Sequence, residues 1–488
     1  MDYKSELAYL KEAFRDNGII KFRAFCVGEE NIAVQLIFCD GLVNSRIIGE
    51  HLIEPLTKLQ GNAAQLLSQE ASLSRVFQVG SVKKSRDRRA LVEGIAGGDC
   101  IVLVAGFPDA LIFDTKGYET RSITEPEGEK ILSGPREGFT ESILKNLSMV
   151  QRRLKTAQLK LKFYTLGKRT RTTLCVAYME GIVKPRVLRE LYQRLEAIDI
   201  DAVLDANYVN ELIRDEKWSP FRTTGYTERP DIVVGKLLEG RVALFVDGSP
   251  VVLTLPYLFI ENFQSNEDYY LSFYYTSFSR MLRIIGVLIT VYMPAFYIAI
   301  VAYHHEMLPP SLLINVAIER SNVPLPASVE AFVMLVIFEI LRETSVRMQA
   351  NVGQALSILG ALVIGQAAVE ANLVAAPLLI VVAITGITSL LVPKMNASIL
   401  WVRFFLLILA ACFGFLGFIM GSVVVLAHVL DLHSFGVWQF DFLDHIETPQ
   451  ETKDILFRAP WQWMKDRPVG LSDHRRRQRG PAQASRRK

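Results

Sequence analysis

Apolar residues are unevenly distributed along the 488-residue chain. Almost all of the long uncharged runs lie after Ile284, whereas residues 1–280 alternate charged and apolar segments as a soluble domain does. Four of the runs approach the roughly 20 residues that a helix needs to cross a bilayer's hydrocarbon. They predict spans at about 284–303, 352–369, 373–392 and 404–427, the first interrupted by Pro294. A fifth run, Ala331 to Leu341, is short and broken by Glu339, which suits a re-entrant or interfacial helix over 331–348 better than a crossing. Ahead of the first span, Tyr269, Tyr270, Phe273, Tyr274, Tyr275 and Phe278 read with Arg280 and Arg283 as a belt at headgroup level. Four crossings return the tail to the side where the chain begins, with Arg280, Arg283 and the basic tail inside and Lys394 and Arg403 outside.

The soluble half repeats itself. Ile32 to Phe38 runs into Asp40-Gly41-Leu42-Val43 and then a helical pattern, and Thr173 to Tyr178 runs into Glu180-Gly181-Ile182-Val183 and another. Gly98-Asp99-CIVLVA-Gly106-Phe107-Pro108 lines up with Gly240-Arg241-VALFVD-Gly248-Ser249-Pro250, each closing on a hairpin turn. Matched signals in one order predict two duplicated α/β subdomains. The fold expected is therefore an α/β soluble N-terminal half followed by an all-α polytopic membrane domain. Its divisions fall at 1–130, a linker helix over 131–165, 166–270, a transmembrane domain over 271–430 and a basic cytoplasmic tail over 431–488.

Composition narrows the function. Mean hydropathy is +0.24, high for a soluble protein of this length, and the net charge of +3 conceals a basic end, RRRQRGPAQASRRK. The first residues carry charges throughout with no signal-peptide core, so the N-terminal half is expected to stay in the cytoplasm. Five scattered cysteines fit reduced thiols better than disulfides or zinc. The soluble half has no phosphate loop, no nucleophile elbow and a single histidine, His51, so no catalytic residue, cofactor site or enzyme activity is expected. His304, His305 and Glu306 are adjacent, point about 100° apart on a helix and lack metal-ligand spacing. Basic clusters at Lys83 to Arg89 and along a helix carrying Lys145, Arg152, Arg153, Lys155, Lys160 and Lys162 read as solvated surface or as attraction to membrane lipid or an acidic partner. Without interleaved aromatic residues they do not read as a nucleic-acid platform.

The candidate functional residues lie in the membrane half. Gly353, Ser357, Ala361 and Gly365 recur every fourth residue and place small side chains on one helix ridge, and Gly417 and Gly421 repeat that spacing. Gln366 and Glu370 share a neighbouring face, as a polar turn or a pore lining. Glu339, Glu343 and Arg347 follow at i+4 steps with Arg342 beside them, as an ion pair at the interface or as a charged ring in an assembly.

TERPD (Thr227 to Asp231), KLLEGRVALFVDGSP (Lys236 to Pro250), FQSNEDYY (Phe263 to Tyr270), YHHEMLP (Tyr303 to Pro309), FEILRE (Phe338 to Glu343) and GQALSILGALVIGQAAVEANLV (Gly353 to Val374) together resemble the A subunit of the GerA-type spore germinant receptors. PREGF (Pro135 to Phe139) and HSFGV (His433 to Val437) agree, and the likeness runs from about residue 20 to 470. The resemblance implies a protein of the endospore inner membrane, working with a transporter-like B subunit that binds the nutrient and a lipoprotein C subunit. It also implies homo-oligomerisation, as a pentamer, into a nutrient-gated cation channel. The chain departs from the family pattern at Thr344-Ser345-Val346, Gln349-Ala350-Asn351 and Trp438-Gln439. An accessory protein like the stage-five sporulation AF protein and a stand-alone transporter are the alternatives, the latter without the paired inverted repeats such a protein needs.

Overall fold

The computed structural model describes residues 3–27, 31–58, 82–117, 129, 131, 133–347, 363, 365–444, 453–464, 466–468 and 470–472. The soluble half is two five-stranded antiparallel sheets of one topology. The first has the order β1-β2-β4-β5-β3, from Ile20–Val27, Ile32–Cys39, Val82–Ser85, Cys100–Val104 and Ala110–Phe113. The second has the order β6-β7-β9-β10-β8, from Leu159–Leu166, Thr172–Met179, Gly225–Thr227, Val242–Val246 and Val252–Leu255. Registers repeat as well: β2 meets β4 from Val34 opposite Val104 to Ile37 opposite Ile101, and β7 meets β9 from Leu174 opposite Val246 to Ala177 opposite Ala243. Every residue of β4 and of β9 is buried, which explains their unbroken apolar runs. Gly98 and Gly240 precede these strands with φ of +94° and +97°, a left-handed conformation that disfavours other residues.

The helix Ile143–Arg153 lies between the sheets. Leu147, Met149 and Val150 join a core that takes Ile37 and Cys39 from one unit and Ala243 and Phe245 from the other. This corrects the expected solvated helix running on to Lys162. The chain leaves the helix at Arg153, and the alternation Leu159-Lys160-Leu161-Lys162-Phe163 has the two-residue period of a strand, which is β6. Lys160 is buried, donating from Nζ to the Ala13 carbonyl at 3.1 Å.

Among the described residues of the second half, two helices are long and apolar enough to cross a membrane by length and composition, Phe273–Tyr303 and Pro393–Leu430; Ala376–Ser389 is apolar and shorter. The expected re-entrant helix is a continuous helix of 21 residues, Ala327–Arg347, about 31 Å long at 1.5 Å per residue. Ala331 and Leu335 pack there against Ile298, Leu378 and Leu407. The connection read as loop before it holds another helix, Pro310–Ser321, started by a proline at its first turn. The span expected at 352–369 lies mostly outside the described residues.

The span expected at 404–427 is also different. Helical Asn396–Leu430 is broken at Gly414, where φ is +59° and ψ −137°. The chain folds back on itself there: Gly417 meets Leu409, and Gly421 meets Leu406 and Leu409. Both ends return to adjacent residues of the soluble half, with Ser398 Oγ donating to the Pro220 carbonyl at 2.7 Å and His428 Nε2 2.8 Å from Ser219 Oγ. A helical hairpin thus stands where one span was expected, because the uncharged run after Arg403 continues unbroken through the turn and only the backbone at one glycine records it. Lys394, placed by four crossings on the far side, lies 3.5 Å from Glu129 of the soluble half.

Candidate functional site

Among the described residues, two clusters of charge lie in the helical half on the helix Ala327–Arg347, each with a buried member, Arg403 or Glu330. Near its end, Glu339 accepts from Arg342 Nη2 at 2.5 Å and from Arg403 Nη2 of the hairpin's first arm. Arg403 is 1% exposed, and its Nε and Nη1 have no hydrogen-bond partner among the described residues. Two guanidinium groups therefore share one carboxylate in an apolar setting. Losing the shared partner there is costly, since it strands the remaining charges out of water. Nine residues earlier, about 13 Å along the helix axis, Glu330 is 0% exposed. Its Oε1 accepts from the Ala375 backbone N at 2.5 Å, where the helix Ala376–Ser389 begins, and its Oε2 lies 3.5 Å from Arg320 Nη1. A carboxylate at a helix N-terminus satisfies an otherwise unpaired N–H and complements the helix dipole.

The residues singled out from the sequence are only partly brought together. Glu339 and Arg342 pair, while Glu343 is exposed and the Arg347 side chain lies outside the described residues. Gln366 Nε2 donates to Glu370 Oε1 at 2.9 Å, with both side chains exposed. Gly365 is buried, and a Cβ there would lie 3.5 Å from the Leu379 methyl groups; Gly353, Ser357 and Ala361 lie outside the described residues. Gly417 and Gly421 face the other arm of their own hairpin. Sequence reasoning missed Glu330 and Arg403. Glu330 stands one residue before an apolar run, and Arg403 lies seven residues inside a long apolar helix, and both positions were signals of an expensive burial.

Where the halves join, Arg280 and Arg283, expected in a belt with the aromatic residues, turn inward to an ion pair instead. Asp268, 2% exposed, accepts from Arg280 Nε at 2.7 Å and from Arg283 Nη2 at 2.9 Å, and Arg280 is fully buried. Tyr274, Tyr275 and Phe278 of the same helix are exposed, as a lipid-facing surface requires. Beside this joint, Glu261 accepts from Lys236 Nζ at 2.5 Å and pairs with Arg241, whose Nη1 also donates to the Pro256 carbonyl at 2.9 Å. Burial pushes the Glu261 carboxyl up, but Arg241 and Lys236 outweigh it and hold it at about 2. Burial likewise pulls the Lys236 ammonium below its ordinary value, and neighbouring Arg241 adds to this. A cavity of about 1020 Å³ opens here, lined among others by Tyr226, Lys236, Glu261, Tyr269, Lys394 and Trp461. No group of three metal-ligating side chains is found among the described residues.

Comparison with known proteins gives consistent likenesses. Residues 8–469 match the family described as Bacillus/Clostridium GerA spore germination protein. Spore germination protein KA of Bacillus subtilis is 40% identical over 96% of this chain and 86% of its own length. An uncharacterized membrane protein of the same organism, YfkQ, is 39% identical over 92% of this chain and 87% of its own. Among solved structures, the N-terminal domain of the A subunit of the Bacillus megaterium spore germinant receptor GerK3 matches at 33% identity and a TM-score of 0.41, covering 52% of this chain and 94% of that domain.

Proposed function

The chain belongs to the Bacillus/Clostridium GerA spore germination protein family, and from that premise we propose that it is the A subunit of a nutrient germinant receptor of the endospore inner membrane. In this reading copies of the chain assemble, as a pentamer, into a cation channel. A transporter-like B subunit binds the nutrient, a lipoprotein C subunit completes the receptor, and opening starts germination.

The observation that supports a conducting role is the cluster of half-buried Glu339 and Arg342 with buried Arg403. Charges inside apolar helices are expensive and mark ion pathways or gates more often than packing. Glu339 joins two helices at once, so its bonds hold the helix Ala327–Arg347 against the hairpin, and a gate needs such a breakable link. Both ends of the helical half emerge beside the soluble half, at Phe273 and at His428. The number of crossings is then even, and the soluble half and the tail share the cytoplasmic side. Spores lacking this chain test the reading: they are expected to lose their response to one class of nutrient, and unaltered germination with every nutrient contradicts it.

A further inference from the structure

We infer that residues 453–464, 466–468 and 470–472 form a strap that supplies the second α/β unit with a segment its own repeat lacks and ties that unit to the base of the helix Phe273–Tyr303. The duplication carries the inference. In the first unit Val43 pairs antiparallel with Lys116, which lies just beyond β5, and Gly98 packs against the Leu42 backbone. In the second unit the chain beyond β10 leaves for the membrane. Val183, the counterpart of Val43, pairs antiparallel with Ser472 instead, and Gly240, the counterpart of Gly98, packs against the backbone of Leu471 and Ile182. The same seat is thus filled from the far end of the chain, and Ser472 Oγ donates to the Ile182 carbonyl at 3.2 Å.

From that seat the strap runs to the membrane helix. Arg467 Nε donates to the Leu238 carbonyl at 2.6 Å, at the end of the helix Pro230–Leu238. Arg458 Nη1 donates to the Leu271 carbonyl at 2.9 Å, and its backbone N donates to Ser277 Oγ at 3.1 Å. Asp454 accepts from Tyr269 OH at 2.7 Å and from Arg280 Nη1 at 2.8 Å, and its carbonyl accepts from Gln264 Nε2 at 2.9 Å. Among the described residues, the charge of buried Arg280 is met by Asp268 and by this strap. Trp461 of the strap lines the cavity beside Lys236 and Glu261. Movement of the second unit therefore either carries the base of the membrane helix with it or peels the strap away.

The test uses the full-length chain in membranes, carrying Cys26→Ser and Cys412→Ser. An antiparallel pair of this kind has Cα atoms about 4.5–5.5 Å apart, within disulfide range. Val183→Cys with Ser472→Cys is expected to give an intrachain disulfide on mild oxidation. Failure to cross-link, or a cross-link between two chains, overturns the strap as drawn. Hydrogen exchange tests the coupling. Asp454→Ala is expected to speed exchange about tenfold at 182–184 and 236–240, to which Asp454 makes no hydrogen bond, and the disulfide is expected to restore the slow rate. A rise confined to 264–283 overturns the coupling. If Asp454→Ala does not fold, Arg467→Gln gives the converse reading: faster exchange at 277–283 upholds the strap, and none there overturns it.

Discussion

Glu261 shows how charge is handled at the joint between the two halves. It is 6% exposed, flanked by Arg241 and Lys236, and its folded value near 2 lies below the ordinary 4.5. A depressed carboxylate stabilises the fold fully above about 4.5 and loses that contribution as pH falls toward 2, about 3 kcal/mol in all. Glu261→Ala should cost about 3–5 kcal/mol at neutral pH because it strips two buried cations of their shared carboxylate, leaving Arg241 only Glu239 at 3.6 Å. Thermal unfolding of the purified chain checks this, and the variant's stability should be flatter between pH 4.5 and 2. Little of this was legible in the sequence. Lys236 and Arg241 stand in one motif and Glu261 falls between motifs, and no local period links positions that far apart. Arg403 and Glu330 were more readable, as charges in or beside apolar runs, yet four assumed spans left Arg403 just outside one of them.

Among the elements, the duplication was legible because it is written locally. Gly98 and Gly240 need positive φ, the hairpin prolines sit at the same offset, and fully buried strands need unbroken apolar runs. The hairpin at Asn396–Leu430 was not, since an all-apolar helix carries no phase from which a reversal can be read. Gly414 alone permits it: its conformation is one that essentially only glycine adopts, and a Cβ there would lie 2.7 Å from Tyr303 Cγ. Gly414→Ala is accordingly expected to destabilise the helical half by about 1–3 kcal/mol from backbone strain alone, with more from the clash. The melting temperature in detergent measures it, with Ser422→Ala as the comparison. That residue sits on an arm rather than at the turn, so its replacement should change little beyond the one bond to the Phe418 carbonyl.

For the whole molecule, both arms of the hairpin return beside Ser219 and Pro220, and Asp454 and Arg458 reach the base of the helix Phe273–Tyr303. The soluble half and the tail meet there, which lets the strap close on the second unit. The proposed function stands on conduction, and cation flux into proteoliposomes holding this chain with the proposed B and C subunits is the measurement that decides it. Flux is expected to begin when nutrient is added and to be altered by Glu339→Gln, which weakens the tie between Arg342 and Arg403. A fully assembled complex that binds nutrient and passes no cations would contradict it.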